Sequence, residues 1–263
     1  MEDILTDIVK HKREELKSLK SLLPINVLRS RLDCILPEIR SMSTALANSS
    51  TGIISEFKKK SPSKGWINKL ADPEIVAASY EKAGASALSI LTDAKYFAGS
   101  LNYIGKVRTA GIGIPILRKD FIIDEYQLVE ARLAGADAVL LIAACLPHSL
   151  CMDLVGIAHS LGLETLLEIH SEEELSYLDC NSDMVGVNNR NLGSFVTDVN
   201  NSFKLVPQLR AASKAVLVSE SGLSDPTIVK SLRSEGFKGF LMGEHFMSSE
   251  NPGLALSKFI AAL

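Results

Sequence analysis

The stretch from Ile53 to Gly65 places an acid and several bases directly after an apolar run. It reads I-I-S-E-F-K-K-K-S-P-S-K-G, and its proline and final glycine end any strand, because proline lacks a backbone donor and glycine permits tight turns. Alternation along a strand predicts that Glu56, Lys58 and Lys60 share one face. An acid and two lysines at the end of a buried strand suggest binding of an anion or proton transfer. The alternative is a solvated edge strand with a basic rim.

The chain after residue 52 alternates short apolar runs with longer amphipathic stretches. The runs are continuous in their apolar character, as expected for strands buried on both faces. The predicted strands span residues 52–58, 86–92, 114–118, 137–142, 164–169, 184–188, 215–219 and 238–242. Eight strands alternating with helices over about 210 residues favour an α/β protein with a (β/α)8 TIM barrel. An open doubly wound sheet is the alternative, and the lack of a glycine-rich dinucleotide loop after any strand argues against it.

The segment before the first strand has a different pattern. Residues 4–23 carry regularly spaced apolar side chains among many charges, which predicts an amphipathic helix. Its apolar stripe must be buried against the rest of the protein. We therefore predict one domain over residues 1–263, in which residues 1–48 form an N-terminal helical extension over the mouth of the barrel.

The composition excludes several classes of protein. An apolar fraction of 46% and a charged fraction of 22% in 263 residues argue against disorder, and a net charge of −3 argues against a nucleic-acid partner. The longest apolar run, Ala138 to Leu146, is too short to span a membrane. The four cysteines lack zinc-site spacing, which suggests reduced thiols and a cytoplasmic protein without a metal or cofactor. The five histidines are scattered and are interpreted as structural or surface residues.

Polar or ionisable residues end almost every predicted strand, and chemistry in such barrels lies at the carboxyl ends of the strands. Glu168 follows two leucines, so it either pairs with a buried base or is tuned for proton transfer. Gly222 and Gly243 end the last two strands, where barrels commonly bind phosphate through backbone N–H groups. An ordinary tight turn is the alternative there. The other candidates at strand ends are Lys119, Asn188, Arg190, Glu220, Ser221 and Glu244.

A series of short segments, spread in order over nearly the whole chain, resembles the sequences of the indole-3-glycerol phosphate synthases. In chain order they are I-L-x-x-I-V-x-x-K-x-x-E, E-F-K-K-K-S-P-S-K-G, S-I-L-T-D-x-K-Y-F-x-G-S, P-I-L-R-K-D-F-I-I-D-x-Y-Q, A-G-A-D-A-V-L-L-I, L-L-E-I-H, G-V-N-N-R-N-L, S-E-S-G and F-L-M-G-E. The resemblance implies a lyase of tryptophan biosynthesis. It would close the ring of carboxyphenylamino-deoxyribulose phosphate to give indole-3-glycerol phosphate, carbon dioxide and water, without a cofactor.

The resemblance also implies a role for each candidate. Lys119 is similar to the general acid of ring closure, Lys58 to the lysine that holds the aromatic carboxylate, and Glu168 to the carboxylate that moves protons in later steps. Glu56 resembles the acid that positions the lysines. The polar groups implied around the anthranilate and ribulose parts are Asn188, Arg190, Glu220 and Ser221, with Asn188 and Ser221 in the catalytic set. Phe97 and Leu192 resemble pocket walls, and the implied phosphate cradle is Lys60, Ser61, Gly222, Gly243 and the backbone N–H of Glu244.

Two departures and two alternatives accompany this resemblance. Lys60 stands where many relatives have alanine, and Met42 where an aromatic residue is common. A strand-end lysine could instead be the nucleophile of a Schiff-base aldolase, or the barrel could bind a phosphorylated ligand without catalysis. The expected partner is a phosphorylated small molecule, with no nucleic acid and no membrane, and the expected state is a monomer or weak homo-oligomer.

Overall fold

Parallel strands close into an eight-stranded barrel in the computed structural model, which describes residues 4–33, 36–191, 193 and 196–263. The strands are β1 (Ile53–Phe57), β2 (Ala87–Leu91), β3 (Ile116–Lys119), β4 (Ala138–Ile142), β5 (Glu164–Ile169), β6 (Met184–Asn188), β7 (Val216–Glu220) and β8 (Gly239–Met242). Each strand pairs with its neighbours in chain order, and β1 closes the ring by pairing with β8. The predicted (β/α)8 fold is confirmed, and each predicted strand overlaps an observed one.

Helices precede the barrel and connect its strands. They are α1 (Ile4–Leu22), α2 (Ile25–Ser30), α3 (Met42–Asn48), α4 (Pro73–Lys82), α5 (Ala94–Phe97), α6 (Asn102–Thr109), α7 (Glu125–Ala134), α8 (His148–Ser160), α9 (Asn200–Ala212), α10 (Pro226–Ser234), α11 (Glu244–Met247) and α12 (Pro252–Ala261). Short 3₁₀ segments span Arg31–Asp33, Ala143–Cys145 and Glu172–Cys180. Among the described residues, no helix combines the length and apolar character that crossing a membrane requires.

Local sequence explains where several helices begin and end. Asp72 and Asp225 accept hydrogen bonds from the first-turn N–H groups of α4 and α10, and a proline follows each of them. Gly135 ends α7 with a φ of 89°, a left-handed conformation that glycine adopts without strain.

The interior of the barrel changes from apolar to ionisable along the strands. Its amino-terminal layer contains the buried side chains of Ile54, Leu117, Leu166 and Val218. Two residues further along the same strands, and hence on the same face, lie Glu56, Lys119, Glu168 and Glu220. The apolar layer therefore fixes the strands beneath the groups that could do chemistry.

Helix α1 lies at the mouth formed by the carboxyl ends of the strands. Ile4, Leu5 and Ile8 line the cavity there. Lys12, which is only 3% exposed, forms ion pairs with Asp93 and Asp120 at 3.1 Å each. Helix α1 therefore forms part of the wall of this cavity.

Helix α3 lies at the opposite end, so the expectation that all of residues 1–48 cover the mouth is wrong for this helix. Met42 and Leu46 are fully buried against the amino-terminal layer of the barrel interior. Ser43 donates its backbone N–H and its hydroxyl to Glu164, the first residue of β5. The apolar layer leaves an open end that needs covering, and the apolar pair of α3, one helical turn apart, covers it.

Candidate active site

A cavity of about 480 Å³ lies at the carboxyl ends of the strands and beneath α1. All eight strands contribute residues to its lining, at their ends or directly after them. A concave site with a few convergent ionisable groups is the usual form of an enzyme pocket. Of the fifteen candidates from the sequence, those that line it are Glu56, Lys58, Ser61, Phe97, Lys119, Glu168, Asn188, Arg190, Glu220, Ser221, Gly222, Gly243 and Glu244.

Lys119 occupies the centre of the ionisable groups. Its Nζ donates a hydrogen bond of 3.0 Å to Glu168 Oε2 and lies 3.6 Å from Glu220 Oε2. Burial favours the neutral amine, but the charges of Glu168, Glu220 and Glu56 outweigh it, so the pKa of Lys119 lies above its ordinary value. The ammonium is therefore present at neutral pH and holds a proton that it can deliver.

Glu168 is buried, and its two carboxylate oxygens have different partners. Oε2 faces Lys119, while Oε1 accepts a 3.0 Å hydrogen bond from Asn188 Nδ2 and lies 3.1 Å from His170 Nε2. Burial alone would raise the pKa of Glu168, but the Lys119 charge, His170 and Asn188 hold it below the ordinary value. Glu168 is therefore an ionised carboxylate with a fixed orientation.

Glu220 differs from Glu168 although both carboxyl groups are buried in the same cavity. Burial and the neighbouring charge of Glu168 raise the pKa of Glu220 to about 8, against the opposing effect of Lys119. Gly186 on β6 leaves the space that the carboxyl fills, since a Cβ there would overlap Glu220 Oε1. Two neighbouring carboxyl groups whose pKa values are driven apart are a common arrangement for acid–base chemistry.

The second lysine approaches from a separate strand end. Lys58 Nζ donates a hydrogen bond to Glu56 Oε1, and the carboxylate of Glu56 is buried. Gly243 makes room for this pair, since a Cβ at that position would overlap the Glu56 carboxylate. Glu56 therefore fixes the position of Lys58 on the side of the cavity where β1 meets β8.

The backbone at the end of β7 has an unusual conformation. Ser221 and Gly222 both have positive φ, 70° and 75°. A serine in the left-handed region is uncommon, and such strain is often found at functional sites. Gly243 and Glu244 follow β8 beside this turn, where Glu244 begins α11. Consecutive N–H groups and a helix start at one edge of a cavity suit an anionic oxygen group.

Arg190 lies on the same side of the cavity as this turn. Its Nη1 donates to Ser63 Oγ at 2.8 Å, and its Nη2 lies 3.5 Å from Glu244 Oε2. Arg190 therefore links the segment after β1 to the segment after β8. The sequence did not single out Ser63, although it lies two residues beyond Ser61 in the same loop.

The structure does not bring Lys60 into the cavity lining. Strand β1 ends at Phe57, and Lys60 pairs with Trp66 in a short hairpin of Lys60–Ser61 with Gly65–Trp66. The alternation that would align Lys60 with Glu56 and Lys58 therefore stops before residue 60. Leu192, the other candidate, lies outside the described residues.

The family model and the similar proteins found by comparison agree on one family. The model of the indole-3-glycerol phosphate synthase family matches residues 5–259. The indole-3-glycerol phosphate synthase of Bacteroides thetaiotaomicron is 56% identical over 263 residues, which is all of both chains. That of an Azoarcus species is 41% identical over 97% of this chain and 98% of its own. The chain belongs to the indole-3-glycerol phosphate synthase family. The family predicted from the sequence is confirmed, and it is a family of carboxy-lyases of tryptophan biosynthesis.

Solved structures with little sequence identity share the fold of this family member. The alpha subunit of tryptophan synthase from Legionella pneumophila matches with a TM-score of 0.61 and 16% identity, over 84% of this chain and 97% of that one. A mutant alpha subunit from Pyrococcus furiosus matches with a TM-score of 0.62 and 16% identity, over 81% of this chain and 97% of that one. At this identity the likeness shows the barrel fold alone.

Two groups of residues near the family site were missed in the sequence. Ile4, Leu5 and Ile8 give the cavity an apolar wall from α1, which the amphipathic pattern alone could not place. His170, interpreted as structural or surface, lies against Glu168 instead. The available signal was spacing, because residues 168 and 170 fall on the same side of an extended strand.

One further group of side chains has the chemistry to hold a metal ion within the described ranges. The ligand atoms of His148, Asp179 and Cys180 lie within 4.8 Å of one another. None of the three lines the cavity. This group is therefore separate from the acid–base groups of the family site.

Proposed function

We propose that the cavity closes the ring of carboxyphenylamino-deoxyribulose phosphate to give indole-3-glycerol phosphate, carbon dioxide and water. The observation that carries this proposal is the position of Lys119, whose Nζ lies between Glu168 and Glu220 while Lys58 approaches from another strand. Ring closure needs a proton donor at a carbonyl oxygen, and the later steps need a second donor and a base. The cavity holds these groups together.

Lys119 is the general acid of the first step. As the electron-rich anilino ring attacks the ribulose carbonyl, negative charge develops on the carbonyl oxygen, and the ammonium donates a proton to it. The raised pKa of Lys119 keeps the ammonium charged at neutral pH. Positioned proton donors of this kind typically contribute about 10²–10⁴-fold in rate.

Lys58 orients the aromatic carboxylate that leaves as carbon dioxide. Its pairing with Glu56 fixes the ammonium in place. The ammonium of Lys58 orients the carboxylate as it leaves. The bond between the ring and the carboxylate carbon breaks, and its electron pair returns to the ring system.

Glu168 and Lys58 complete the reaction by removing water. Loss of the hydroxyl requires a proton, which Lys58 supplies, and the proton of the ring is taken by a base. Glu168 is that base because its lowered pKa keeps it ionised. Asn188 holds the carboxylate through its amide, and Glu220 keeps Lys119 on the side of the cavity where the carbonyl would lie.

The phosphate of the substrate lies between the ends of β7 and β8. The positive φ values of Ser221 and Gly222 and the start of α11 at Glu244 support this placement. Ser61 and Arg190 lie on the same cavity wall, and Phe97 lines the cavity with Phe121, a ring 6.0 Å away. The aromatic part of the substrate would contact these two rings.

The same proposal extends to the protein as a whole. We treat residues 1–263 as one domain that acts in the cytoplasm on a phosphorylated small molecule, as a monomer or weak homo-oligomer. The apolar core that continues from the strands to the surrounding helices supports a single domain. The net charge of −3 supports a partner other than nucleic acid.

Direct turnover tests the proposal. Purified protein and the phosphorylated adduct should give a fluorescent indole product and one carbon dioxide per product molecule. Adding borohydride during turnover should leave the protein mass unchanged. A trapped covalent adduct on a lysine, without indole formation, would overturn the proposal in favour of a Schiff-base aldolase.

A further inference from the structure

His170 completes a line of ionisable side chains that begins outside the cavity. His170 Nδ1 lies 3.4 Å from Glu174 Oε2, and His170 Nε2 lies 3.1 Å from Glu168 Oε1. Glu168 Oε2 in turn accepts the hydrogen bond from Lys119. The sequence of contacts is therefore Glu174, His170, Glu168 and Lys119.

The imidazole lies between the carboxylates of Glu168 and Glu174, and the backbone of His170 is held by hydrogen bonds. The backbone N–H of His170 donates to Glu174 Oε2 at 2.6 Å, and its carbonyl accepts from Asn201 Nδ2 at 2.9 Å. The side chain is 13% exposed and does not line the cavity. The side chain of His170 therefore adjoins Glu168 without lining the cavity where a substrate would lie.

We infer that His170 is a positioning residue for the later steps that remove water: it holds Glu168 ionised and turned so that Oε2 faces Lys119 and the substrate. Without the imidazole, Glu168 Oε1 keeps only the neutral amide of Asn188, and the carboxylate can rotate away from the lysine. This inference rests on the proposed role of Glu168 as the base of the later steps.

The charges that face the imidazole support its cationic form. Burial favours the neutral ring, but contacts with Glu168 and Glu174 raise the pKa of His170 to about 10. The titratable groups around it are Glu168 at the end of β5, Glu174 on the following 3₁₀ segment, Glu220 on β7, and Lys119 on β3 beyond Glu168. Glu220, whose pKa is raised to about 8, carries little charge near neutral pH, so the carboxylates of Glu168 and Glu174 are the groups that favour an imidazolium.

Two substitutions separate the orienting effect of His170 from its charge. His170→Ala removes both, whereas His170→Gln can place a neutral amide donor near the position of Nε2. We expect His170→Ala to lower kcat by about 10–100-fold, which is at or below the smallest effect typical of the acid–base groups themselves. KM should change far less. We expect His170→Gln to recover part of kcat.

The pH profile supplies a readout that a merely structural role would not move. Loss of the positive charge raises the pKa of Glu168, so the acidic limb of kcat should shift to higher pH in both variants. Glu174→Gln, on the far side of the ring, leaves the imidazolium in place at acidic pH and removes only a negative charge, so its acidic limb should not move to higher pH. His170→Gln keeps the test valid if His170→Ala fails to fold.

The matched control is His159→Ala. His159 Nε2 lies 2.9 Å from Asp183 Oδ2, beside the amino-terminal end of β6, so this pair has similar geometry but is remote from the cavity. The kcat and the pH profile of His159→Ala should equal those of the parent protein.

Glu168→Gln, measured in parallel, separates this inference from the proposed function. An inactive Glu168→Gln with the acidic limb of the His170 variants shifted to higher pH supports the inference. An inactive Glu168→Gln with unchanged kcat and profile in the folded His170 variants overturns the inference and leaves the function. An active Glu168→Gln overturns the role of Glu168, and with it this inference, while the turnover experiment still decides the overall reaction.

Discussion

Lys12 Nζ lies 3.1 Å from Asp120 Oδ1, and Asp120 is the residue that follows Lys119. The same ammonium reaches Asp93, the residue that caps α5, and Glu15 on its own helix. Burial opposes the charge of Lys12, but the two aspartates raise its pKa above the ordinary value. One buried cation therefore joins α1 to the loops after β2 and β3.

Lys12→Met should destabilise the protein and lower its activity. The substitution leaves Asp93 and Asp120 buried without this partner, which typically costs about 3–5 kcal/mol. Because Asp120 adjoins Lys119, we also expect kcat/KM to fall. Urea unfolding and steady-state kinetics measure the two effects.

Lys20→Met is the matched control on the same helix. Lys20 pairs with Asp124 at 2.6 Å, but its side chain is 40% exposed. An exposed ion pair contributes about 0–1 kcal/mol to the free energy of unfolding, so Lys20→Met should lose at most that much stability. Equal losses of stability for both variants would show that the burial of Lys12 is not what matters.

The Lys12 contact illustrates how far sequence reasoning reaches. The helical pattern of residues 4–23 predicted α1, and the strand pattern predicted that Lys119 and Glu168 lie at the carboxyl ends of their strands. Periodicity indicates the type of local structure and which side chains share a face. The partner of Lys12 depends on where α1 docks, which periodicity does not specify.

The same limit explains the two errors of placement. Lys60 appeared to continue the alternation of β1, but the strand ends at Phe57, and element boundaries are the least certain part of a pattern. Helix α3 is short, and its single pair of apolar residues does not indicate at which end of the barrel the helix docks. His170 was missed because its contacts with Glu168 and Glu174 depend on how the chain turns after β5.

Lys119→Met should lower kcat by two orders of magnitude or more, which corresponds to about 3 kcal/mol, because it removes the proton donor of the first step. Binding of a reduced substrate analogue should change far less. Lys119→Arg should not restore turnover, since a guanidinium is too weak an acid. Single-turnover kinetics and equilibrium binding provide the measurements.

Lys106→Met, at an exposed position on α6, serves as the control for removal of a lysine. It should behave as the parent protein. If Lys119→Met keeps turnover but loses binding, Lys119 is a substrate clamp, and the general acid must be Lys58.

Glu220 should make the stability of the protein depend on pH. Burial and Glu168 raise its pKa to about 8, above the value of about 4.3 expected in the unfolded chain. The folded state then binds the proton more tightly, so the free energy of unfolding falls as pH rises through this interval. The glutamine in Glu220→Gln cannot ionise. Between pH 5 and pH 8, the urea midpoint of this variant should therefore rise relative to that of the parent protein.

Glu235→Gln is the control for this titration, because Glu235 is exposed at the end of α10. Its midpoint should keep a constant offset from the parent across the range. A constant offset for Glu220→Gln as well would show that Glu220 is ionised throughout and that its pKa is not raised.

Gly243→Ala should reduce activity through Glu56. Gly243 has a φ of −126°, outside the left-handed region that favours glycine, so the predicted effect rests on the overlap of the new side chain with its neighbours. The added methyl group would overlap the Glu56 carboxylate and displace it from Lys58. We expect kcat to fall at least tenfold. Gly156→Ala, in α8 with no atom within 4 Å of the added group, should leave kcat unchanged and stabilise by about 0.5–1 kcal/mol.

Arg190 and Lys60 offer a direct comparison of two candidate cations for the substrate. Arg190 lines the cavity between Ser63 and Glu244, whereas Lys60 does not line it. A positive charge near the phosphate contributes mainly to binding, so Arg190→Gln should raise KM about tenfold or more with a smaller change in kcat. Lys60→Ala should leave both constants close to those of the parent. The opposite pattern, with KM raised only by Lys60→Ala, would mean that the hairpin of Lys60 and Trp66 rearranges when substrate binds, and that the phosphate lies closer to β1 than the backbone at Ser221 and Gly222 suggests.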